Sequence, residues 1–327
     1  MINLNKEHPS VSVLMSCFNG SQWIDKAISS VLDQSFYINE FIIVDDGSVD
    51  NSLDVISKWV EVDKRIKVIK KNNTGLADSL NVGIRSCSSE WIARIDVDDI
   101  WHKNRIETQI EALLKDKNLE FIAGSMIEIN DSDNNIKKYQ YPKNHKMLRH
   151  NLLSLKKFPP HSSVLFKKSL AMELGLYRGK IKRAEDHDLW LRMSEVTNMH
   201  CCNESITYIR KHENQISNES GGSTQQRDAF IGICCSYARL LGIKEPVNYS
   251  DSDFDKFKIL LDEVFDDYYF YEFYSTTKII KNLLKGRLDW NEDVILRHFI
   301  YQPYQYLFRR SYLKRISLNI LTKFKEN

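Results

Sequence analysis

Asp96, Asp98 and Asp99 crowd the end of the apolar run "WIARI" in the segment "WIARIDVDDIWHKNR". Carboxylates that close repel one another and lose hydration unless a cation lies among them. A hard divalent ion, Mg2+ or Mn2+, would relieve that repulsion and could hold a diphosphate at the same time. The plainer alternative is an acidic strand-to-helix turn in which Asp99 caps a helix starting near Trp101. A second acidic pair, Asp45 and Asp46, follows the apolar run of "FIIVDDGSVDNS". There a carboxylate can accept from a nucleobase imide or a ribose hydroxyl, while Asp-Gly-Ser is also common turn composition. The third pair, Glu185 and Asp186 in "RAEDHDLWLRM", opens a helical pattern. The N-terminal end of a helix favours ionised carboxylates, so Asp186 is expected to be a ready proton acceptor at neutral pH. Trp190 lies one turn further along the same face, as a wall for a sugar ring or as a core residue, and Asp188 and Arg192 are spaced for an ion pair.

The elements that must position these groups follow from apolar spacing. "VSVLM" at 11 to 15, "FIIV" at 41 to 44, "IKVI" at 66 to 69 and "WIARI" at 91 to 95 alternate with helical patterns, which predicts an α/β fold with a mostly parallel sheet. Ile24, Ala27, Ile28, Val31 and Leu32 form one apolar stripe, and Leu76, Leu80 and Ile84 another. In such sheets ligands bind at the carboxyl ends of the strands, where 17–20, 45–48, 72–75 and 96–99 all fall. A helix is expected from about Trp101 to Lys115. "NDSDNN" opens like a calcium loop, but Ile136 and Pro142 occupy positions needing Gly and Glu, so a solvated hairpin turn is expected.

Composition narrows the classes. With 327 residues and 42% hydrophobic content the chain can bury a large core, and a net charge of +2 argues against a generic nucleic-acid partner. No apolar run reaches membrane-spanning length and no signal peptide is evident, so a cytoplasmic location is expected. Cys17, Cys87, Cys201, Cys202, Cys234 and Cys235 have neither CxxC nor zinc spacing and read as reduced packing residues. No GxGxxG follows the first strand and no GxxxxGK[ST] occurs, which argues against dinucleotide-binding dehydrogenases and P-loop enzymes.

Taken in order, the motifs resemble the family 2 glycosyltransferases of the GT-A fold over about residues 9–217. "VSVLMSCFNG" is similar to the family's opening nucleotide-binding strand, with Ser16 for a usual Pro and Phe18 for a usual Tyr. "VDDGSVDNS" resembles its base and ribose segment, "NNTGLADSLNVGI" an N-x-G segment, "RIDVDD" the metal-binding DxD, "AEDHDLWLRM" the ED pair with the general base, and "YIRKHENQIS" a closing motif. The resemblance implies donor contacts from Phe18, Asn19, Asp45, Asp46, Ser48, Asn73, Gly75, Arg94, Asp96 and Asp98, and Mn2+ or Mg2+ held by Asp98 and Asp96 with His212. It implies Asp186 as the base, and an acceptor side formed by Glu185, Trp190 and His161 of "HSSVLFKK". A non-processive, inverting transfer of one sugar from a nucleotide sugar, expected to be UDP-linked, to a glycan or lipid-diphosphate-linked sugar acceptor would follow. No QxxRW follows the ED pair, so likeness to the polymerising members fails there. Rival readings are a DxD phosphotransferase, whose motif would lie near the first strand, and an idle nucleotide-sugar-binding module, which would lack the ED pair.

The expected organisation is a domain over 1–217, with a nucleotide-binding half at about 9–99 and an acceptor half at about 100–217, a linker at 218–226 and a helical appendage at 227–327. In the tail, Phe308, Tyr312, Ile316, Ile320 and Phe324 recur every four residues beside Arg310, Lys314 and Lys325. That pattern suits an amphipathic helix on an anionic membrane surface, which would make the protein peripheral on the inner face of the membrane, or equally a helix packed on the body.

Overall fold

The computed structural model describes residues 9–212, 215, 223–240, 242 and 244–266. The four apolar runs form β1 (Val11–Cys17), β2 (Glu40–Asp45), β3 (Ile66–Lys70) and β4 (Trp91–Asp96), all parallel, in the order β3-β2-β1-β4. They are apolar on both faces because both faces are covered. Val11, Val13 and Met15 pack with α1 (Ile24–Leu32), α2 (Ser52–Val62) and α4 (Arg105–Lys115). On the other face Leu14 and Val44 press so closely on Gly83 of α3 (Leu76–Ser86) that no Cβ fits there.

The chain winds outward from β1 through β2 to β3, then returns to the far side of β1 as β4. This reversal leaves a crevice between the carboxyl ends of β1 and β4, the place where parallel sheets bind ligands. Beyond β4 the sheet becomes mixed. β5 (Ile100–Trp101), β6 (Leu119–Ile129), β7 (Asn135–Tyr139), β8 (Leu165–Lys167) and β9 (Asn198–Arg210) complete nine strands among the described residues, ordered β4-β8-β6-β9-β5 with β7 on β6. Helices α5 (His145–Leu153), α6 (Lys168–Glu173) and α7 (Glu185–Val196) lie between them in the chain.

Some expectations change at this level. Ile100 and Trp101 are strand, and the helix starts only at Arg105, so Asp99 is no helix cap; its Oδ1 accepts from the Arg210 backbone N–H at 3.1 Å. The "NDSDNN" segment is a hairpin turn between β6 and β7, but it is tied down, with Asp133 paired to Lys26 and, at 2.6 Å, to Arg210. The cysteines are all free and buried.

The chain divides into two compact units, 1–152 with 156–219, and 153–155 with 220–327. In the second, α8 (Ser223–Leu240) and α9 (Asp251–Asp266) are helical as expected, but α8 takes in 223–226, which the sequence marks as linker. Among the described residues no helix is long and apolar enough to cross a membrane. The amphipathic stripe from Phe308 to Phe324 lies outside the described residues.

Candidate active site

The first wall of the crevice is built by loops that hydrogen-bond one another. Asn19, in the left-handed region at φ 52°, accepts from the Val49 N–H at 2.9 Å and donates its own N–H to Ser48 Oγ at 3.0 Å. Those bonds occupy Asn19 and Ser48 with loop geometry and leave Phe18 standing 50% exposed at the rim. Gly47 (φ +78°) lies against the backbone of Asn73, where a Cβ would come within 2.9 Å of its nitrogen. Asn73 itself is exposed, and Gly75 (φ +97°) turns the chain into α3.

Asp45 and Asp46 part company here. Asp46 accepts from Lys71 Nζ at 2.5 Å and from the N–H groups of Thr74 and Gly75 at 3.0 and 2.9 Å. Burial opposes its ionisation, but Lys71 and those amides hold the carboxyl below its ordinary value. With both oxygens engaged it shapes the 71–75 loop, so its expected role on the donor is corrected to a positioning one. Asp45 bonds only the Ser48 N–H, at 3.3 Å, and its Oδ1 is buried without a hydrogen-bond partner. A buried orphan acceptor at the end of β2 calls for a donor from a ligand.

At the end of β4, Asp96 is committed to the protein. Its Oδ1 meets Arg94 Nη2 at 2.5 Å and its Oδ2 accepts from Ser162 Oγ at 2.8 Å. Burial works against its charge, yet Arg94 holds the carboxyl below its usual value. Arg94 is fully buried, and although Asp96 balances its charge, its Nε and Nη1 have no hydrogen-bond partner. Asp98 is half-buried and pairs with His212 Nε2 at 2.9 Å, the His212 ring lying 5.8 Å from that of Trp23. Asp99, buried and facing Asp98 and Asp96, is pushed well above the ordinary carboxylate range. Among the described residues no group of three or more His, Cys, Asp or Glu could hold a metal alone. The donor set nonetheless fits Mg2+ or Mn2+, which keeps few protein ligands and takes the rest from phosphates and water. The three expected ligands lie at this edge, Asp98 paired with His212 and Asp96 with Arg94 and Ser162.

The opposite wall comes from the start of α7. Glu185 and Asp186 lie near enough to Arg94 and Asp96 to feel both charges. Burial raises the Asp186 carboxyl to about 6 against the pull of the His187 N–H, 2.7 Å from its Oδ1. Burial, and then Asp186 itself, raises Glu185 to about 8. The helix terminus was expected to favour ionisation; its contribution of under about 1 kcal/mol is outweighed by desolvation. Of the two carboxyls Asp186 is the less raised. Asp188 forms the expected pair with Arg192 (2.8 Å) and a further one with Arg178, fixing the segment ahead of α7.

Trp190 is 1% exposed, edge-on to Phe121, Tyr177 and His161. It is core and presents no face to a sugar, which corrects the wall assignment. His161 is held by Tyr177 Oη at 2.7 Å, and burial with the nearby Arg94 lowers its pKa to about 3, so it stays neutral beside Asp96.

Two arginines escape sequence reasoning. Arg105, fully buried with its guanidinium 3.8 Å over Trp101, donates to the carbonyls of Arg94 (2.9 Å), Ser162 (2.5 Å) and Val164 (2.9 Å), which seats Ser162 under Asp96. Arg210 lies 4.2 Å over Trp23, donates to the Asp98 carbonyl at 3.0 Å and to that of Asn130 at 2.8 Å. The only signal for Arg105 is its place on the apolar stripe of α4; Arg210 has none beyond its neighbour His212.

Comparison with known proteins bears on the family and the fold. The family model "Glycosyl transferase family 2" matches residues 12–175, half of the chain. An uncharacterised glycosyltransferase of Rickettsia conorii is 28% identical over 229 residues, 68% of this chain but only 37% of that protein, so the chain spans little more than a third of that relative. The O-antigen biosynthesis glycosyltransferase WbnJ of Escherichia coli is 28% identical over 70% of this chain and 87% of its own length. Among solved structures, S. aureus TarS residues 1–349 with UDP-GlcNAc superposes with a TM-score of 0.54 at 16% identity, over 70% of this chain and 66% of that one, and TarS with UDP gives 0.52. The α/β architecture is therefore that of the GT-A fold, and the chain belongs to glycosyl transferase family 2.

Proposed function

We propose that the protein is an inverting, metal-dependent transferase that moves one sugar from a UDP-sugar to a hydroxyl of a glycan or lipid-diphosphate-linked sugar, as in assembly of a bacterial surface polysaccharide. One observation carries the proposal: Asp186, at the start of α7, lies close enough to the Arg94–Asp96 pair at the end of β4 to feel both charges. Asp45 Oδ1 accepts from the base or ribose, and Phe18 offers its exposed ring to the base. Asp98 and His212, with Asp96 beside them, would hold a divalent ion, whose chemistry when bound would be to offset negative charge on the leaving diphosphate. Asp186 takes the acceptor proton as that oxygen attacks the anomeric carbon from the face opposite the leaving group, and configuration inverts in one displacement. Arg94 keeps Asp96 charged and aligned. The UDP and UDP-GlcNAc complexes of TarS and the name of WbnJ support the donor and pathway class. The setting that follows is the cytoplasm, at the inner face of the membrane.

Incubation with a panel of UDP-, GDP- and TDP-sugars, with Mn2+ and with EDTA, tests the donor assignment through release of the nucleotide. UDP release that EDTA suppresses is the expected result; release from GDP- or TDP-sugars alone contradicts it. Asp98→Ala should abolish the metal-dependent part of UDP binding in calorimetry, and equal UDP binding by the wild type with and without Mn2+ would remove the metal from the account.

A further inference from the structure

From Asn134 to Met172 the chain carries nine Lys or Arg residues and no Asp or Glu, in a molecule whose net charge is only +2. Part of this run converges on one surface. Lys137 and Lys138 are exposed on β7, and the ammonium groups of Lys137 and Lys157 lie 5.2 and 4.2 Å from the centroid of the same ring, Tyr139. Two cations beside one ring repel each other, and the ring's π face offsets that only in part. Lys67, Lys71 and Lys167 have carboxylate partners, but among the described residues neither Lys137 nor Lys157 is in an ion pair.

This surface is anchored to the catalytic carboxylate. Asn151 Nδ2 donates to the Lys157 carbonyl at 2.8 Å, and the next residue, Leu152, accepts from His187 Nε2 at 3.0 Å. The His187 N–H in turn donates to Asp186. Asp98 and Asp186 at the crevice disfavour an anionic acceptor unless positive charge accompanies it, whereas a neutral one needs no compensation. Lys137 and Lys157, on a surface tied to Asp186 through Asn151, Leu152 and His187, supply that compensation and steer a negative chain toward it.

We propose that the acceptor is an anionic saccharide, bearing carboxylate or phosphate groups, and that Lys137 and Lys157, on the Tyr139 face of β7, hold its charges while its hydroxyl reaches Asp186. This rests on the reading of Asp186 as the base. Titration of the full chain with a hyaluronan hexasaccharide and with maltohexaose, at low and high salt, tests it. The anionic probe should bind at least about tenfold tighter at low salt and lose that preference at high salt. Lys137→Gln with Lys157→Gln should weaken it about tenfold, while Lys58→Gln, on the distant α2, and UDP release to water stay unchanged. Equal binding of the two saccharides, or no effect of the double substitution, overturns the proposal. So does binding of phosphatidylglycerol vesicles through these lysines without binding of the hexasaccharide, which makes this a membrane surface. If Asp186→Asn retains transfer while the lysine variant loses the hexasaccharide, the base assignment fails and the lysine surface stands.

Discussion

Asp45 and Asp46 are neighbours, both buried, and differ in their bonds: the Asp46 carboxylate pins a loop, while Asp45 Oδ1 has no hydrogen-bond partner. Nothing in "VDDGS" separates them, because the difference is made by Lys71 and the amides of 74 and 75, brought in from another loop. Glu185 and Asp186 divide in the same way, by burial and mutual repulsion, which a helix-position argument misses. Their raised values have a consequence for stability. A carboxyl whose folded pKa is raised contributes stability below its unfolded pKa and loses it as pH rises through the folded value. For Glu185 that window runs from its ordinary value of 4.5 to about 8. Glu185→Gln should therefore gain stability over the wild type as pH rises through this window, on the order of 2 kcal/mol at its upper end. Urea titrations at pH 5 and pH 8 read it; an equal difference at the two pH values means that Glu185 is not held neutral.

At the scale of elements, β1 to β4 and the stripes of α1 and α3 were legible, since strands buried on both faces must be continuously apolar and helices covering them must repeat near every fourth residue. The Asp99 region was not. Ile100 and Trp101 pair with β9, a partner about a hundred residues away that no local pattern announces. Close approach is also silent in sequence. Gly20 donates its N–H to Ser52 Oγ at 2.8 Å, and a Cβ there would strike Val97, the residue between Asp96 and Asp98. Gly20→Ala should then push Val97 aside, costing about 1–3 kcal/mol of stability and weakening metal-dependent UDP binding through the displaced Asp98. Adding Val97→Ala should restore most of both losses. Thermal melts and calorimetry on the single and double variants measure the coupling, and failure of the second substitution to rescue binding would separate Gly20 from the acidic loop.

The whole molecule places its acidic clusters on one crevice because the chain reverses direction across β1, and motifs from residues 17 to 212 meet there. The order of those motifs was readable, as was the α/β class; their packing was not, and Trp190 became core while Arg105 and Arg210 emerged as clamps. The amphipathic stripe from Phe308 to Phe324 lies outside the described residues. At the crevice the proposed central step is the transfer of the acceptor proton to Asp186. The direct test is the pH dependence of sugar transfer by the wild type and by Asp186→Asn, with UDP release and product followed together. The wild-type rate should rise with pH along a limb centred at about 6, where Asp186 ionises. Asp186→Asn should lose that limb and about 10^2 to 10^4-fold in rate, with UDP affinity changed only a few-fold. A variant that keeps more than about a tenth of wild-type transfer, or keeps the limb near 6, would contradict the claim.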